Sequence, residues 1–492
     1  MSIARNTALN LAGHALPLVA ALLLVPALAA RLDPERFGFL ALAWALVGYF
    51  SLFDLGLGRA LSRLVAERRA TPAQATLPEL SRTAFSLTAL LGIVAGAILF
   101  AAAAPICEQA LRLSPGLRAE AEPALRVLAV SLPIVTLSAT LRGLLEALHR
   151  FDFATAIRLP LGVLTFAAPL VVTGWSCSLV QMATALALVR VVAFVAYWAA
   201  CKRLDAALVG FAWPRRSAAR DMLGYGAWLT VSNIVGPLMV YADRFVIAGL
   251  VSVTAVAYYS APYEVVTRLA VIPAAITGVL FPAMAAGTAL RVAELLRSGF
   301  KATFIGVLPL AFAGLLLAPE WLTAWFGADY AREGFRAAQL LCLGAALNCL
   351  AHIPMTVLHA RGHADVPAKL HLVELPVYLL LLFVLIPRWG IDGAALVWTL
   401  RCGLDVLVLF TLARRRMPQR RFGFTRAQLA VVGIVLAALA GALALSSPLQ
   451  RLAYLIAGLL VTGTLAWLVL LDAPERLRVR RPLALLSGNR LR

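Results

Sequence analysis

The chain has 492 residues, 62% of them hydrophobic and 14% charged, with a formal net charge of +20. Soluble domains carry about 45–50% apolar and about 25% charged residues, so this composition excludes a water-soluble globular protein and fits one solvated by lipid. Such a positive balance suits a nucleic-acid binder, but the arginines fall in short turns between apolar blocks, which points to anionic lipid headgroups and away from nucleic acid.

Crossing about 30 Å of hydrocarbon takes roughly 20 residues of helix. On that ruler spans are predicted near 9–30, 37–57, 82–104, 124–148, 157–174, 179–200, 225–250, 254–285, 302–325, 335–360, 368–387, 392–413, 427–446 and 452–471, about fourteen in all. The first ends in Ala27-Leu28-Ala29, which resembles a signal-peptidase site. Its apolar run is longer than the about 7–15 residues of a removable signal, and it contains His14 and Pro17, so it reads as a retained helix. The stretch 254–285 is overlong and should tilt or bend at Pro262, Pro273 or Pro282.

The turns between spans alternate in charge. One set carries Arg59, Arg63, Arg68 and Arg69, then Lys202, Arg203, Arg215, Arg216 and Arg220, then Arg291 and Arg297, then Arg414 to Arg416, Arg420 and Arg421, and the tail from Arg476. The other set carries few, among them Arg31, Arg36, Arg112, Arg118, Arg332, Arg336, Arg388 and Arg451. The positive-inside rule puts the first set, and both termini, on the cytoplasmic side of the membrane. Trp175, Trp321, Trp325 and Trp389 then fall at outer span ends, where an aromatic belt belongs.

A repeat at an offset of about 210–225 residues is visible in Asn10-Leu11-Ala12-Gly13 against Asn233-Ile234-Val235-Gly236, and in Leu148-His149 against Leu358-His359. It predicts an all-α integral membrane fold with two pseudo-symmetric six-helix lobes, residues 1–200 and 201–413. Residues 414–492 supply two extra transmembrane helices and a basic cytoplasmic tail.

Charges inside the spans point to function, because a central Arg or Asp opposes insertion by about 2.5–3.5 kcal/mol. Arg142 and Glu146, Arg190, Asp243 and Arg244, Glu264 and Arg268, Glu374, Arg401 and Asp405 all lie in otherwise apolar stretches. Arg142/Glu146, Glu264/Arg268 and Arg401/Asp405 are four apart and share a helix face. One reading is intrahelical neutralisation; the other is a wet cavity whose arginines attract a pyrophosphate through paired hydrogen bonds. The cavity candidates are Arg142, Arg190, Arg244, Arg268 and Arg401; the gating or coupling candidates are His14, Asp54, Arg59, Glu146, Asp243, Glu264, Glu374 and Asp405.

The six cysteines lack metal-ligand spacing and mostly lie within spans, so no disulfide, metal or cofactor is expected. There is no P-loop, GxGxxG unit or HExxH, and no outer loop long enough for a catalytic domain. An enzyme is therefore not expected.

Arg31-Leu32-Asp33-Pro34-Glu35-Arg36-Phe37-Gly38, Phe53-Asp54-Leu55-Gly56-Leu57-Gly58-Arg59, Tyr241-Ala242-Asp243-Arg244-Phe245, Phe281-Pro282 and Gly390-Ile391-Asp392-Gly393 together resemble the Wzx-type polysaccharide biosynthesis (O-antigen flippase) family. That resemblance implies the multidrug/oligosaccharidyl-lipid/polysaccharide exporter (MOP) fold, with two bundles around a cation-lined cavity. It also implies flipping of an undecaprenyl-pyrophosphate-linked oligosaccharide to the outer leaflet by alternating access, for O-antigen of lipopolysaccharide or another surface polysaccharide. The implied partners are the lipid-linked oligosaccharide, anionic headgroups and the polysaccharide polymerase machinery. His14 stands where the related lipid II flippases carry arginine, which argues against lipid II as cargo. The rival readings are a cation-coupled exporter of small organic molecules and an integral-membrane enzyme acting on lipid-linked sugars.

Overall fold

The computed structural model describes residues 19–52, 61, 65, 76–148, 150–213, 234–416, 424–445, 447–472 and 475–476. Among these residues there is no strand, and ten helices are long and apolar enough to cross a membrane. In chain order the helices are α1 (Val19–Arg31), α2 (Pro34–Leu52), α3 (Leu77–Pro105), α4 (Pro115–Ala147), α5 (Phe151–Val172), α6 (Leu179–Leu204) and α7 (residues 234–250). They continue with α8 (Val253–Ala286), α9 (Ala289–Leu316), α10 (Ala318–Phe326), α11 (Ala328–Ala360), α12 (Asp365–Arg416), α13 (Arg426–Gly441) and α14 (Pro448–Leu465).

Local chemistry explains several boundaries. Pro115 opens α4 after the Ser114 cap, whose side chain accepts the Leu117 N–H. Thr425 and Gln428 form a reciprocal capping box at the start of α13. The overlong eighth span is interrupted by a 3₁₀ turn at Thr267–Ala270. The turn ends just before Pro273, whose missing N–H leaves the Leu269 carbonyl without its helical partner. The spans predicted at 368–387 and 392–413 are two helical halves of α12 that meet at a kink at Gly390, with φ 56° and ψ −134°. Only glycine tolerates that conformation.

One prediction needs correction. The span expected at 302–325 is two helices, α9 ending at Leu316 and a short α10 from Ala318. Pro319 is the cause, since it cannot donate into a continuing helix but fits the first turn of a new one. The Trp321 indole donates back to the Gly314 carbonyl at 2.8 Å and closes the joint.

The chain divides into two compact units, one of residues 1–265, 325–330 and 368–397, the other of residues 266–324, 331–367 and 398–492. In the first unit α4 is the central helix, with 67% of its most apolar stretch buried, whereas α3 and α5 bury 22% and 17%. Gly92 and Gly96 let α3 approach α4 closely: a Cβ at Gly92 would lie 2.6 Å from the Pro133 Cα, and one at Gly96 2.7 Å from the Ala129 carbonyl. Hydroxyls join the same seam, with Thr140 donating to the Thr88 hydroxyl at 3.0 Å. In the second unit α9 and α11 each bury 61% of their apolar stretches. α9 holds the C-terminal helix pair there by ion pairs: Lys301, 2% exposed, meets Asp472 at 2.8 Å and Glu475 at 2.9 Å. Arg451 of α14 meets Glu320 of α10 at 2.8 Å.

The α3–α4 contact yields a stability prediction. Gly92→Val should cost about 1–3 kcal/mol, because the backbone of α4 blocks the new side chain. Thermal unfolding of the purified protein in detergent checks it; an unchanged Tm would contradict the packing described.

Candidate functional site

Three helices of the first unit bring arginines to one cavity. Its wall consists of Arg142, Ser138, Val135 and Ala139 of α4, Arg158 and Leu161 of α5, Arg190, Ala193 and Tyr197 of α6, and Ser51 of α2. Each helix contributes one face, since 135/138/139/142 and 190/193/197 follow the three- and four-residue steps of an α-helix. The cavity volume is about 80 Å³, room for several waters.

Among the described residues the lining holds three guanidinium groups and no carboxylate. Glu146 is one turn along α4, with its Oε1 3.9 Å from the Arg142 Nε. Arg190 reaches the Thr165 hydroxyl at 3.5 Å. The two lining serines are already engaged: Ser51 donates to the Val47 carbonyl and Ser138 to the Ile134 carbonyl, both at 2.7 Å. Cationic donors therefore dominate the wall. Sequence reasoning found Arg142 and Arg190 but missed Arg158. It sits at the edge of the span predicted from 157, where arginine reads as an end anchor; α5 in fact begins at Phe151 and puts Arg158 two turns inside.

A second polar cluster joins α7 and α8. Asp243, fully buried, accepts a hydrogen bond from the Tyr259 hydroxyl at 2.6 Å and from the Arg244 backbone N–H at 2.8 Å. The buried Arg244 guanidinium lies 3.6 Å from Asp243 Oδ1 and 3.5 Å from Glu264 Oε1, and donates to the Val240 carbonyl at 3.0 Å. It also sits over the Tyr263 ring at 4.3 Å and near the Tyr241 ring at 5.6 Å. Arg244 is thus held by two carboxylates and two rings. Glu264 faces Arg244, and Arg268 belongs to the 3₁₀ turn that follows Val266.

The other candidates are spread through the fold. Arg401 and Asp405 form the expected one-turn pair on α12, 3.3 Å apart and nearly buried. Glu374, buried, is on the first half of the same element. His14, Asp54 and Arg59 lie outside the described residues. Lys301 was not singled out from sequence, because it stands just ahead of the span predicted from 302, yet it is among the most deeply buried charged side chains described.

Comparison with solved structures places the fold. The chain aligns with the lipid II flippase MurJ in an inward closed conformation at a TM-score of 0.70, covering 92% of this chain and 96% of that one at 13% identity. It aligns with an inward-facing multidrug resistance transporter of the MATE family at 0.67, covering 81% and 94% at 17% identity. A MOP superfamily transporter from Pyrococcus furiosus, with a binding pocket of reversed polarity, aligns at 0.60, covering 85% and 95% at 17% identity.

The class is therefore that of an all-helical multi-pass membrane protein with the fold these transporters share. Within it, the chain belongs to the polysaccharide biosynthesis protein family, whose sequence profile matches residues 3–287. It is also 32% identical to the "Putative O-antigen transporter" of Shigella flexneri, over 84% of this chain and 98% of that protein.

The Asp243 cluster yields a second prediction. Removing one partner of a buried ion pair costs about 3–5 kcal/mol, so Asp243→Ala should lower Tm and membrane abundance markedly. Immunoblots of membranes together with thermal unfolding test this; an unperturbed protein would show that Arg244 does not depend on Asp243.

Proposed function

We propose that this protein moves a polyprenyl-pyrophosphate-linked oligosaccharide from the inner to the outer leaflet of the inner membrane by alternating access, feeding O-antigen or another surface polysaccharide. The observation that carries the reading is the cavity walled by Arg142, Arg158 and Arg190, with no carboxylate among the described lining residues. A pyrophosphate diester presents oxygens to which planar guanidinium forks donate in parallel, and a low-dielectric wall strengthens that attraction. The O-antigen transporter relative and the lipid II flippase neighbour both support a lipid-linked glycan as cargo.

In this proposal both termini are cytoplasmic, as the arginine-rich turns require, and the rocking bodies are the lobes 1–200 and 201–413, with 414–492 appended. Arg244 and Arg401 face carboxylates, so Asp243, Glu264, Glu374 and Asp405 are assigned with them to gating or coupling rather than to cargo. Anionic headgroups meet the basic turns, and a polysaccharide polymerase receives the product. Export of small organic cations is the weaker reading, since a cation needs carboxylates in the wall and this one is lined by arginines.

Arg158→Gln and Arg190→Gln should each weaken binding of undecaprenyl pyrophosphate about 10- to 100-fold, as expected for losing a hydrogen bond to a charged group of about 1.5–3 kcal/mol. Surface polysaccharide should fall in parallel. Native mass spectrometry of lipid binding and gel analysis of surface glycan provide the test. Normal glycan with normal protein levels in the double variant would remove the basis of the assignment.

A further inference from the structure

The motif Leu32-Asp33-Pro34-Glu35-Arg36-Phe37-Gly38 has no part in the arginine cavity, yet its surroundings in the first unit are densely built. A Cβ at Gly38 would run into the Val253 carbonyl oxygen, so the start of α2 touches bare backbone at the α7–α8 turn. The segment after α3 joins the same place: the Arg112 N–H donates to the Ala248 carbonyl at 3.1 Å, and the Val253 N–H returns to the Arg112 carbonyl at 3.4 Å. Glu35 accepts the Ser114 N–H at 2.7 Å, and Arg36 bridges Asp33 at 2.8 Å and Glu120 at 2.6 Å. Burial works to raise the Asp33 carboxyl, but hydrogen bonds from Arg36 and its charge hold it below its ordinary value. All these turns belong to the arginine-poor set.

Below this seam lies a continuous group of rings. Tyr330 packs edge-on against Tyr258 at 5.1 Å and Phe37 at 6.2 Å, and against Phe326 at 5.6 Å. Phe37 leads on to Trp44 at 6.1 Å, and Trp44 to Phe166 at 5.0 Å. Trp44 is six residues beyond Gly38 along α2, about 9 Å deeper at 1.5 Å per residue. Within this apolar group two donors, the Tyr330 hydroxyl and the Trp44 indole N–H, are buried with no hydrogen-bond partner among the described residues; the Tyr330 side chain is 3% exposed. Buried donors are almost always paired, so two in one cluster mark a place meant for something else.

We propose that this seam is a gate keyed to the sugar part of the cargo: opening it uncovers the Phe37–Trp44–Tyr258–Tyr330 surface, where a sugar ring stacks and its hydroxyls accept from Trp44 and Tyr330. A pyranose offers an apolar C–H face to an aromatic ring and a rim of acceptors to its polar edge, which is the combination these side chains present. In the closed state neither donor has a partner among the described residues; in the open state the glycan supplies one. The cargo therefore binds the open state better and shifts the population toward it. Gly38 fits the same account, because only a residue without a side chain lets the backbones meet. This inference rests on the outward movement of a lipid-linked glycan proposed above, and it adds which part of the cargo opens the outer end.

The test uses the full chain in nanodiscs with Cys177, the exposed cysteine, changed to Ser. Spin labels at Arg112→Cys and Val251→Cys report the seam by distance measurement. Undecaprenyl pyrophosphate without sugar should bind yet leave the short distance in place. A panel of undecaprenyl-pyrophosphate-linked monosaccharides should include members that raise the long-distance population about tenfold. Trp44→Phe with Tyr330→Phe keeps the rings, should abolish most of that rise, and should leave binding of the sugar-free lipid unchanged. Gly38→Val should show the long distance without any lipid. Equal responses to the sugar-free and sugar-bearing lipids, no response to any sugar, or an undiminished response in the double variant each overturns the proposal. Loss of binding by the sugar-free lipid itself overturns the arginine-cavity reading instead.

Discussion

Hydrocarbon hydrates neither charge nor backbone, so every ionised group within a span must be answered by a partner, a ring or a wet cavity. This constraint sorts the buried charges of the fold into two kinds. Asp243, Arg244 and Glu264 answer one another across α7 and α8, with tyrosines completing the shell. Lys301 is answered by two carboxylates from beyond α14. Arg158 and Arg190 instead face a cavity whose described lining residues include no carboxylate. Groups of the first kind hold helices together; those of the second kind have attraction left for a ligand.

The same constraint governs the uncharged seams. Gly92 and Gly96 bring α3 onto α4 because the association of apolar helices in lipid depends on close contact and hydrogen bonds rather than on expulsion of water. Gly38 does the same for the start of α2 and the turn at Val253. Glycine therefore appears in two roles, as a fixed packing surface in the middle of the unit and as a contact near its arginine-poor end.

Much of this was legible in the sequence, and the failures have physical causes. Hydropathy located the spans because each must be apolar over a bilayer thickness. The interruption of α8 was readable from its prolines, and the Gly390 break from the glycine between two apolar runs. The α9–α10 joint was missed because a proline early in a new helix and a proline inside an old one look alike in a hydropathy window. Arg142 and Arg190 could be found as charges out of place, whereas Arg158 was hidden by its nearness to a span edge. That Arg244 would be held by carboxylates was not readable, since Glu264 reaches it from another helix and the sequence offered Arg268 as the nearer partner. The aromatic group around Tyr330 joins residues nearly three hundred positions apart, and no local pattern announces it.

The clamp on Lys301 also determines where the chain tolerates cutting. Asp472 and Glu475 come after the last membrane helix, in what reads as the beginning of a dispensable tail, yet they neutralise an ammonium group inside the protein. A chain shortened ahead of Asp472 would strand that charge, whereas one ending beyond Arg476 would keep it answered. The fold thus extends past its last membrane helix because a buried charge on α9 demands partners there.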